Sequence, residues 1–269
     1  FLNEADAAIL CLPDAASIEA ADWLKDNDST VLIDASTAFR VDPAWAYGFP
    51  ELSPAQRDKV ANSKRISNPG CYPTGFISLT RPLVEAGIIA EKTGLTVNAI
   101  SGYSGGGKQL MALYESDPSC EPWGAYGFNL DHKHLPEMAL YSKLNRKPIF
   151  QPAVGNFPQG MVVSVPIHYD SLRPGKTGRD CWECLNAYYA NSETISVYEM
   201  NGSDFLERGA FLRPDTLANT NKMELFVFAN DDTEQVVLSA RLDNLGKGAS
   251  GAAVQNMNLA LGLGEFTGL

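Results

Sequence analysis

The sequence predicts an α/β protein in which a partial doubly wound sheet comes first and an α+β domain follows. Two short, uninterrupted apolar runs at residues 5–12 and 30–35 flank a helical stretch, and together they predict one βαβ unit. Longer segments after residue 94 alternate apolar and polar residues, which is typical of an antiparallel or mixed sheet with one covered face. The length of 269 residues allows one large domain or two ordinary ones.

The first part of the chain carries the signals of a parallel sheet with helical connections. The helix predicted after the first strand places Ile18, Ala21 and Leu24 on one face. The predicted elements are strands at residues 5–12 and 30–35 and helices at residues 15–26 and 54–62. A strand-turn signal follows at residues 66–71. It opens a helix that runs to residue 87 and is kinked at Pro82.

The later elements are predicted from alternation and from helix formers. They are strands at residues 94–101, 161–169, 194–200, 223–229 and 235–242, and helices at residues 179–190 and 248–263. We therefore expect a partial Rossmann-type domain at residues 1–70 and an α+β catalytic and oligomerisation domain at residues 71–245. The last helix, within residues 246–269, is expected to return to the first domain.

Composition excludes several classes of protein. A net charge of −11 without a dense basic patch argues against a nucleic-acid partner. No apolar run approaches the roughly 20 residues that a membrane span needs. The five cysteines are odd in number and widely scattered, so reduced thiols in a cytoplasmic protein fit better than a secreted disulfide framework.

The sharpest local motif is Ser-Asn-Pro-Gly-Cys-Tyr-Pro-Thr-Gly at residues 67–75. Cys71 lies where a turn gives way to a helix, and the free amides of a helix N-terminus favour a thiolate nucleophile and can hold an oxyanion. The alternative is a buried cysteine that acts as a small hydrophobic residue. The polar and turn-forming residues around Cys71 do not fill a core, so we favour the nucleophile.

A second motif, Asp-His-Lys-His-Leu-Pro-Glu at residues 131–137, contains two of the three histidines of the chain. A cysteine nucleophile needs a proton carrier, and His132 and His134 are the candidates, with Glu137 as an orienting carboxylate. A His-x-His pair is also compatible with a metal, but no further ligand cluster supports one, so we expect no metal site. The remaining alternative is a polar loop before a helix.

Three segments of small residues follow predicted strands. Residues 101–108 read Ser-Gly-Tyr-Ser-Gly-Gly-Gly-Lys, and their backbone amides could approach a phosphate while Lys108 adds charge. Residues 247–251 have the same character. Residues 36–40 follow the second strand, where doubly wound folds bind ligands, and Arg40 could pair with a carboxylate or phosphate. A flexible glycine turn, a close-packed helix start and a solvated arginine are the respective alternatives.

Taken together, these motifs resemble the N-acetyl-gamma-glutamyl-phosphate reductase family of arginine biosynthesis, in its shorter bacterial branch. The resemblance covers essentially the whole chain. The matching segments, in chain order, are residues 34–40, 67–75, 101–108, 132–137 and 247–256.

The resemblance implies an oxidoreductase with an NADP cofactor, a small-molecule substrate and a homodimer or homotetramer. It implies a Rossmann-type NADP-binding domain and a catalytic domain similar to that of glyceraldehyde-3-phosphate dehydrogenase. The Cys71 thiolate would attack the acyl phosphate and expel phosphate, and NADPH would reduce the resulting thioester. His134, rather than His132, would carry the proton.

The resemblance also implies the binding residues. Those on the cofactor side would be Leu12, Pro13, Ser101, Gly102, Ser104, Gly105, Gly106, Gly248, Ala249 and Asn256. Those on the substrate side would be Ser36, Arg40, Asn68, Lys108 and Glu137.

Members of this family begin with a strand, a glycine-rich turn and a helix that hold the dinucleotide phosphates, and no G-x-G-x-x-G follows a first strand here. We therefore expect the sequence to be truncated at its N-terminus. Two competing functions stay open at this point. One is a cofactor-free Cys–His hydrolase or acyltransferase, and the other is a non-catalytic binding protein that keeps the fold.

Overall fold

The computed structural model describes residues 2–269, and within them the chain forms two compact units. The first unit comprises the described residues up to 70 together with residues 248–269, and the second comprises residues 71–247. No helix in the described range 2–269 is long and apolar enough to cross a membrane.

The first unit is built on a four-stranded parallel sheet in the order β1-β2-β4-β3. Its elements are β1 (Ala7–Leu10), α1 (Asp14–Asp22), β2 (Val31–Asp34), β3 (Ala46–Tyr47), α2 (Pro54–Ala61), β4 (Arg65–Ser67) and α7 (Gly251–Ala260), the last being the helix predicted near the C-terminus. Val31 and Ile33 of β2 pack in a cluster with residues of α2 and α7, whereas Leu32 packs with Leu24 in a second cluster. Because β2 is covered on both faces, its sequence is apolar up to its last residue.

Two predictions for this unit are wrong in their burial pattern. In the edge strand β1 only Leu10 is buried and Ile9 is 39% exposed. In α1 the buried side chains are Ser17 and Ala20, while Ile18 is 53% exposed. The buried face of α1 runs from Ser17 through Ala20 and on to Leu24, which follows the helix. Ile18 is exposed because it lies about 100° away from Ser17 around the helix axis.

The second unit contains a seven-stranded mixed sheet in the order β6-β7-β5-β8-β11-β10-β9. Its strands are β5 (Thr96–Gly102), β6 (Trp123–Ala125), β7 (Ile149–Gly155), β8 (Met161–His168), β9 (Ile195–Val197), β10 (Met223–Asn230) and β11 (Gln235–Leu242). Its helices are α3 (Cys71–Glu85), α4 (Gly107–Ser116), α5 (Leu135–Tyr141) and α6 (Gly178–Tyr188). Strand β7, which sequence analysis missed, is parallel to β5 and contains Pro152.

Helix α3 is the core helix of this unit. It packs on β8 and β11, and a Cβ atom at Gly75 would lie only 2.9 Å from Val163, so glycine permits the close approach of helix and sheet. Pro82 lies inside the helix and cannot donate to the carbonyl of Ser78. The hydroxyl of Tyr189 donates to that carbonyl instead, at 3.0 Å, so the helix tolerates the proline.

Strand β8 carries α3 on one face and has partly exposed side chains on the other. Val163 and Val165 of β8 are buried, while Val162 and Ser164 are half-buried on the opposite face. The last strands carry a buried charge cluster on Arg241, which pairs with Glu224 at 2.7 Å and with Glu207 at 3.2 Å. This pairing anchors the irregular segment that contains Glu207 to β10 and β11.

Candidate active site

The candidate nucleophile Cys71 is the first residue of α3 and is partly exposed, whereas the helix is buried from Tyr72 onward for most of its length. The turn at residues 68–70 between β4 and α3 explains the placement, because Pro69 and Gly70 interrupt the regular structure before the helix begins. A helix of 15 residues therefore starts at the thiol, and its first N–H groups have no intrahelical acceptor.

Tyr72 connects several predicted site residues, although sequence analysis did not select it. Its ring centroid lies 6.3 Å from His132, 6.0 Å from His134 and 5.1 Å from Phe150. Its hydroxyl donates to the carbonyl of Ala153 at 3.1 Å. Burial raises the pKa of Tyr72 far above its usual value, and the charges of Tyr126 and Cys71 raise it further. Tyr72 is therefore a neutral, fixed contact between the helix of the nucleophile and both histidines.

The two histidines form a packed pair whose ring centroids are 4.7 Å apart. The backbone N–H of His134 donates to Nδ1 of His132 at 3.2 Å, so neutral His132 carries its proton on Nε2. His132 is also enclosed by the rings of Tyr126 and Phe150. His134 and Glu137 are both buried, at the start of α5.

The small-residue segment after β5 forms a 3₁₀ turn (Tyr103–Gly106) and then opens α4. The backbone N–H groups of Tyr103 and Ser104 donate to Phe157 and Pro158 at 3.0 and 3.1 Å. The expectation that this segment offers its amides to a phosphate is therefore wrong for these two amides, because a neighbouring loop already uses them.

The glycines of this turn serve close packing within the protein. A Cβ atom at Gly102 would lie 2.7 Å from backbone atoms of residues 157–159, and one at Gly105 would lie 2.9 Å from the Ser101 hydroxyl. A Cβ atom at Gly106 would meet the side chain of Leu110. Lys108 is exposed in the first turn of α4.

In the first unit, buried polar groups meet at the carboxyl ends of β2 and β4. The guanidinium of Arg40 donates to the carbonyls of Asn68 and Ala35, each at 3.0 Å. Asn68 in turn donates from its side chain to the carbonyl of Ala249 at 2.9 Å. Ser36 donates to the carboxylate of Asp34 at 2.6 Å. Arg40 therefore links the loop after β2 to the loop after β4 and is not a solvated arginine.

Asn256 completes this cluster from α7. Its Nδ2 donates to Gly48 and to Asn68 at 2.9 and 3.2 Å, while its Oδ1, although buried, meets no donor within residues 2–269. An orphaned acceptor of this kind fits an N–H donor of a bound molecule, such as the carboxamide of a nicotinamide ring. This orphaned acceptor is compatible with the expectation that Asn256 lies on the cofactor side.

The remaining predicted residues of the first unit lie in its loops and turns. Leu12 is 42% exposed after β1, and Pro13 occupies the N-cap position of α1 without a side-chain capping bond. Gly248 lies in a π-helical turn (Gly246–Ser250) just before α7. Over the described part of the chain, no group of three or more histidine, cysteine, aspartate or glutamate residues is arranged to hold a metal ion.

Comparison with known proteins places both units in recognised families. Residues 71–244 match the family described as "Semialdehyde dehydrogenase, dimerisation domain", and residues 1–60 match "Semialdehyde dehydrogenase, NAD binding domain". Proteins named N-acetyl-gamma-glutamyl-phosphate reductase are 47% identical in Trichormus variabilis and 50% identical in Rhizobium etli. The first alignment covers 100% of this chain and 85% of the relative, and the second covers 97% and 84%.

Solved structures with a similar fold are aspartate semialdehyde dehydrogenases. The Vibrio cholerae enzyme II complexed with ASA has a TM-score of 0.70 at 16% identity, over 96% of this chain and 80% of that one. The Candida albicans enzyme with NADP has a TM-score of 0.64 at 16% identity, over 96% and 78%. At 16% identity, these similarities support a shared fold only.

Proposed function

Because the chain belongs to the N-acetyl-gamma-glutamyl-phosphate reductase family, we propose that Cys71 and the histidine pair carry out the reaction of that family here. The protein is an oxidoreductase of arginine biosynthesis that reduces N-acetyl-gamma-glutamyl phosphate to N-acetylglutamate semialdehyde and releases phosphate. A cofactor-free hydrolase and a non-catalytic binding protein are not favoured, since the relatives are named reductases and the first residues match a dinucleotide-binding family.

In the proposed mechanism the Cys71 thiolate attacks the carbonyl carbon of the acyl phosphate. A C–S bond forms, the C–O bond to phosphorus breaks, and phosphate leaves with the electron pair, which produces a thioester on Cys71. The nicotinamide cofactor, when bound, supplies the hydride that reduces this thioester. His134 donates a proton to the oxygen of the thiohemiacetal and takes it back as the C–S bond breaks and the aldehyde leaves.

One observation carries this assignment of roles: the bond from the His134 backbone N–H to His132 Nδ1, at 3.2 Å. In this bond Nδ1 of His132 is the acceptor, so neutral His132 carries its proton on Nε2 and offers it as a hydrogen-bond donor. Tyr72 directly follows Cys71 in the sequence, and its ring centroid lies 6.3 Å from that of His132 and 6.0 Å from that of His134. This arrangement supports the same roles.

We propose NADP and not NAD as the cofactor. The resemblance supports this preference, and the first-unit residues that would hold the nicotinamide are Ala249 and Asn256. We also propose a cytosolic location. It is supported by the cysteines, all five of which lie in the described range and none of which forms a disulfide.

We further propose a homodimer that forms through the open face of the seven-stranded sheet, because the second unit matches a dimerisation domain. A shallow groove of about 420 Å³ lies on this face. Its lining includes Asn98, Ile100, Gln151, Val162 and Ser164, none of which is charged. Two copies with a net charge of −11 each repel one another, so a neutral face is the surface on which they can meet.

The reaction is tested by following nicotinamide absorbance with N-acetylglutamate semialdehyde, phosphate and NADP. We expect Cys71→Ala to remove turnover while the protein stays folded. The control is Cys184→Ala, because burial raises the pKa of the Cys184 thiol to about 11 and the residue lies in α6. His134→Asn should lower kcat by about 100-fold or more with little change in KM.

Several results would contradict these roles. Turnover by Cys71→Ala would exclude the thioester, and an unchanged rate in His134→Asn would transfer the proton-carrier role to His132. Hydrolysis of the acyl phosphate by the unaltered protein without nucleotide, and no nicotinamide-dependent reaction, would restore the hydrolase alternative.

A further inference from the structure

A tight corner follows β11, and its two polar residues are almost completely buried. Asp243 is 1% exposed and Asn244 is 2% exposed. The carboxylate of Asp243 accepts from the side chain of Gln159 at 3.0 Å, from the backbone of Asn219 at 2.7 Å and from the backbone of Leu245 at 3.0 Å. Three hydrogen bonds therefore hold the corner, and they fix the backbone position from which the side chain of Asn244 projects.

The amide of Asn244 joins two loops. Its Oδ1 accepts from the backbone N–H of Gly160 at 2.7 Å, and its Nδ2 donates to the hydroxyl oxygen of Ser104 at 2.9 Å. The orientation of the amide follows from chemistry, because only the carbonyl side can accept from Gly160 and the NH₂ group must then face Ser104.

This bond determines what the Ser104 hydroxyl can do. Its oxygen accepts from Asn244, so its own proton is available to another acceptor, and no residue within the range 2–269 receives it. Ser104 is only 6% exposed, so the proton is not simply solvated on an open surface. A buried hydroxyl with its acceptor side occupied and its donor side open is suited to a ligand oxygen.

The position of Ser104 relates this proton to the site. The residue belongs to the turn Tyr103–Gly106, which follows Ser101 closely in the chain. The Tyr72 hydroxyl donates to the carbonyl of Ala153 at 3.1 Å, and Ala153 in β7 is the register partner of Ile100 in β5. The turn that carries Ser104 directly follows β5, so it begins close to the strand pair that Tyr72 contacts.

We propose that Asn244 is a positioning residue that orients the Ser104 hydroxyl so that its proton points to an oxygen of the bound ligand. This inference rests on the proposed function. The shared ligand chemistry is an oxygen acceptor, supplied either by the nicotinamide nucleotide, through a carboxamide or phosphate oxygen, or by the acyl phosphate and its aldehyde product.

The test compares Ser104→Ala, Asn244→Asp and the double variant. In Asn244→Asp the introduced carboxylate can still accept from Gly160, but it cannot donate to Ser104 and would draw the serine proton to itself. We expect each single variant to weaken ligand binding by about three- to tenfold, the usual effect of one hydrogen bond. The double variant should bind no more weakly than Ser104→Ala, because both changes withdraw the same proton.

Two readouts identify the ligand. Fluorescence titration gives the Kd of oxidised NADP without substrate, and initial rates at saturating nucleotide give the KM of the semialdehyde. A weakened Kd assigns the ligand oxygen to the nucleotide, and a raised KM alone assigns it to the substrate. Thr80→Val is the control, because the Thr80 hydroxyl bonds the carbonyl of Phe76 and the hydroxyl of Ser142 and contacts neither the corner nor the turn of Ser104. It should lower Tm while leaving both constants unchanged.

The proposal is overturned if Ser104→Ala changes neither constant, or if Asn244→Asp weakens binding further on the Ser104→Ala background. Should Asn244→Asp fail to fold, Asn244→Ala adds no charge and must show the same non-additivity. A protein that binds nucleotide with this pattern but never turns over would refute the proposed function and leave the role of Asn244 standing.

Discussion

At the scale of single residues, Gly48 shows how one missing side chain makes room for a polar cluster. The amide of Asn256 donates to the carbonyl of Gly48, and a Cβ atom at this position would lie 2.2 Å from the Asn256 nitrogen. No real contact is that short, so either the backbone or Asn256 would have to move. The bond between Asn256 and Asn68 depends on the same arrangement.

We therefore expect Gly48→Ala to lower the free energy of unfolding by about 1–3 kcal/mol, the usual cost of overpacking. It should also weaken the binding of nicotinamide nucleotide, because Asn256 is displaced. Gly124→Ala is the control, since a Cβ atom there meets nothing within 4 Å. Urea unfolding and a nucleotide titration measure both effects. Equal stability of the two variants would show that Asn256 adjusts without cost.

The residues of the candidate site could be predicted from sequence only where a motif surrounds them. Cys71 and the His132–His134 pair stand in local patterns that indicate their chemistry. Tyr72 and Asn244 do not, because their importance arises from partners far away in the chain, at Ala153 and at Ser104. Local sequence also does not show whether a glycine makes room for a ligand or for another part of the protein. Gly102 makes room for a neighbouring loop.

At the scale of elements, the cluster around Arg241 ties an irregular segment to β10 and β11, two interior strands of the sheet. The arginine side chain is 3% exposed and serves two carboxylates, Glu224 and Glu207. It also donates to the carbonyl of Arg213 and to the hydroxyl of Thr216. Burial alone would raise the pKa of Glu207, but the backbone N–H of Arg213 and the charge of Arg241 are among the interactions that hold it below its usual value.

Arg241→Met should cost about 3 kcal/mol of unfolding free energy, because it leaves two carboxylates facing each other without a cation. We place the loss at the low end of the range for buried pairs, since the Glu207 side chain is 26% exposed. Arg213→Met is the control, as its side chain is 58% exposed and its pair with Asp215 should contribute less than about 1 kcal/mol. Similar midpoints for both variants in chemical denaturation would contradict this account.

Elements with strong periodicity were predicted well, and those shaped by tertiary contacts were not. Strand β11 has the predicted bounds, and α2 and β8 end within one residue of them. Strand β7 was missed because Pro152 argues against a strand, and β3 and β6 are too short to show any period. The prediction of the buried face of α1 was wrong because Ile18, the only large aliphatic residue of this helix, is exposed to solvent.

At the scale of the whole molecule, the domain boundaries and the uncharged sheet face of the second unit bear on the proposed dimer. Sequence analysis placed the domain boundaries at residues 70 and 245, and the two structural units change at residues 70 and 247. The sequence could not show which face of the second unit is uncharged, because that face combines side chains from β5, β7 and β8. Only the strand order brings them together.

If the proposed dimer forms through this face, Val162→Glu should convert it to a monomer, because two-fold symmetry would bring like charges together in a desolvated interface. Ile18→Glu adds the same charge at an exposed position of α1 and should leave the dimer intact. Sedimentation velocity over a range of protein concentrations distinguishes the species. A Val162→Glu protein that still sediments as a dimer would locate the interface elsewhere.

Strand β8 has an implication for how this enzyme could be altered. Val163 lies against Gly75 in the helix that begins with the nucleophile, and its neighbours Val162 and Ser164 line the groove on the other side. Val163 is therefore constrained by the helix, and in the proposed dimer Val162 and Ser164 would be constrained by the second copy, so random substitution there should rarely be tolerated. Laboratory evolution of substrate range should have more freedom in the exposed helix α4, none of whose residues is buried.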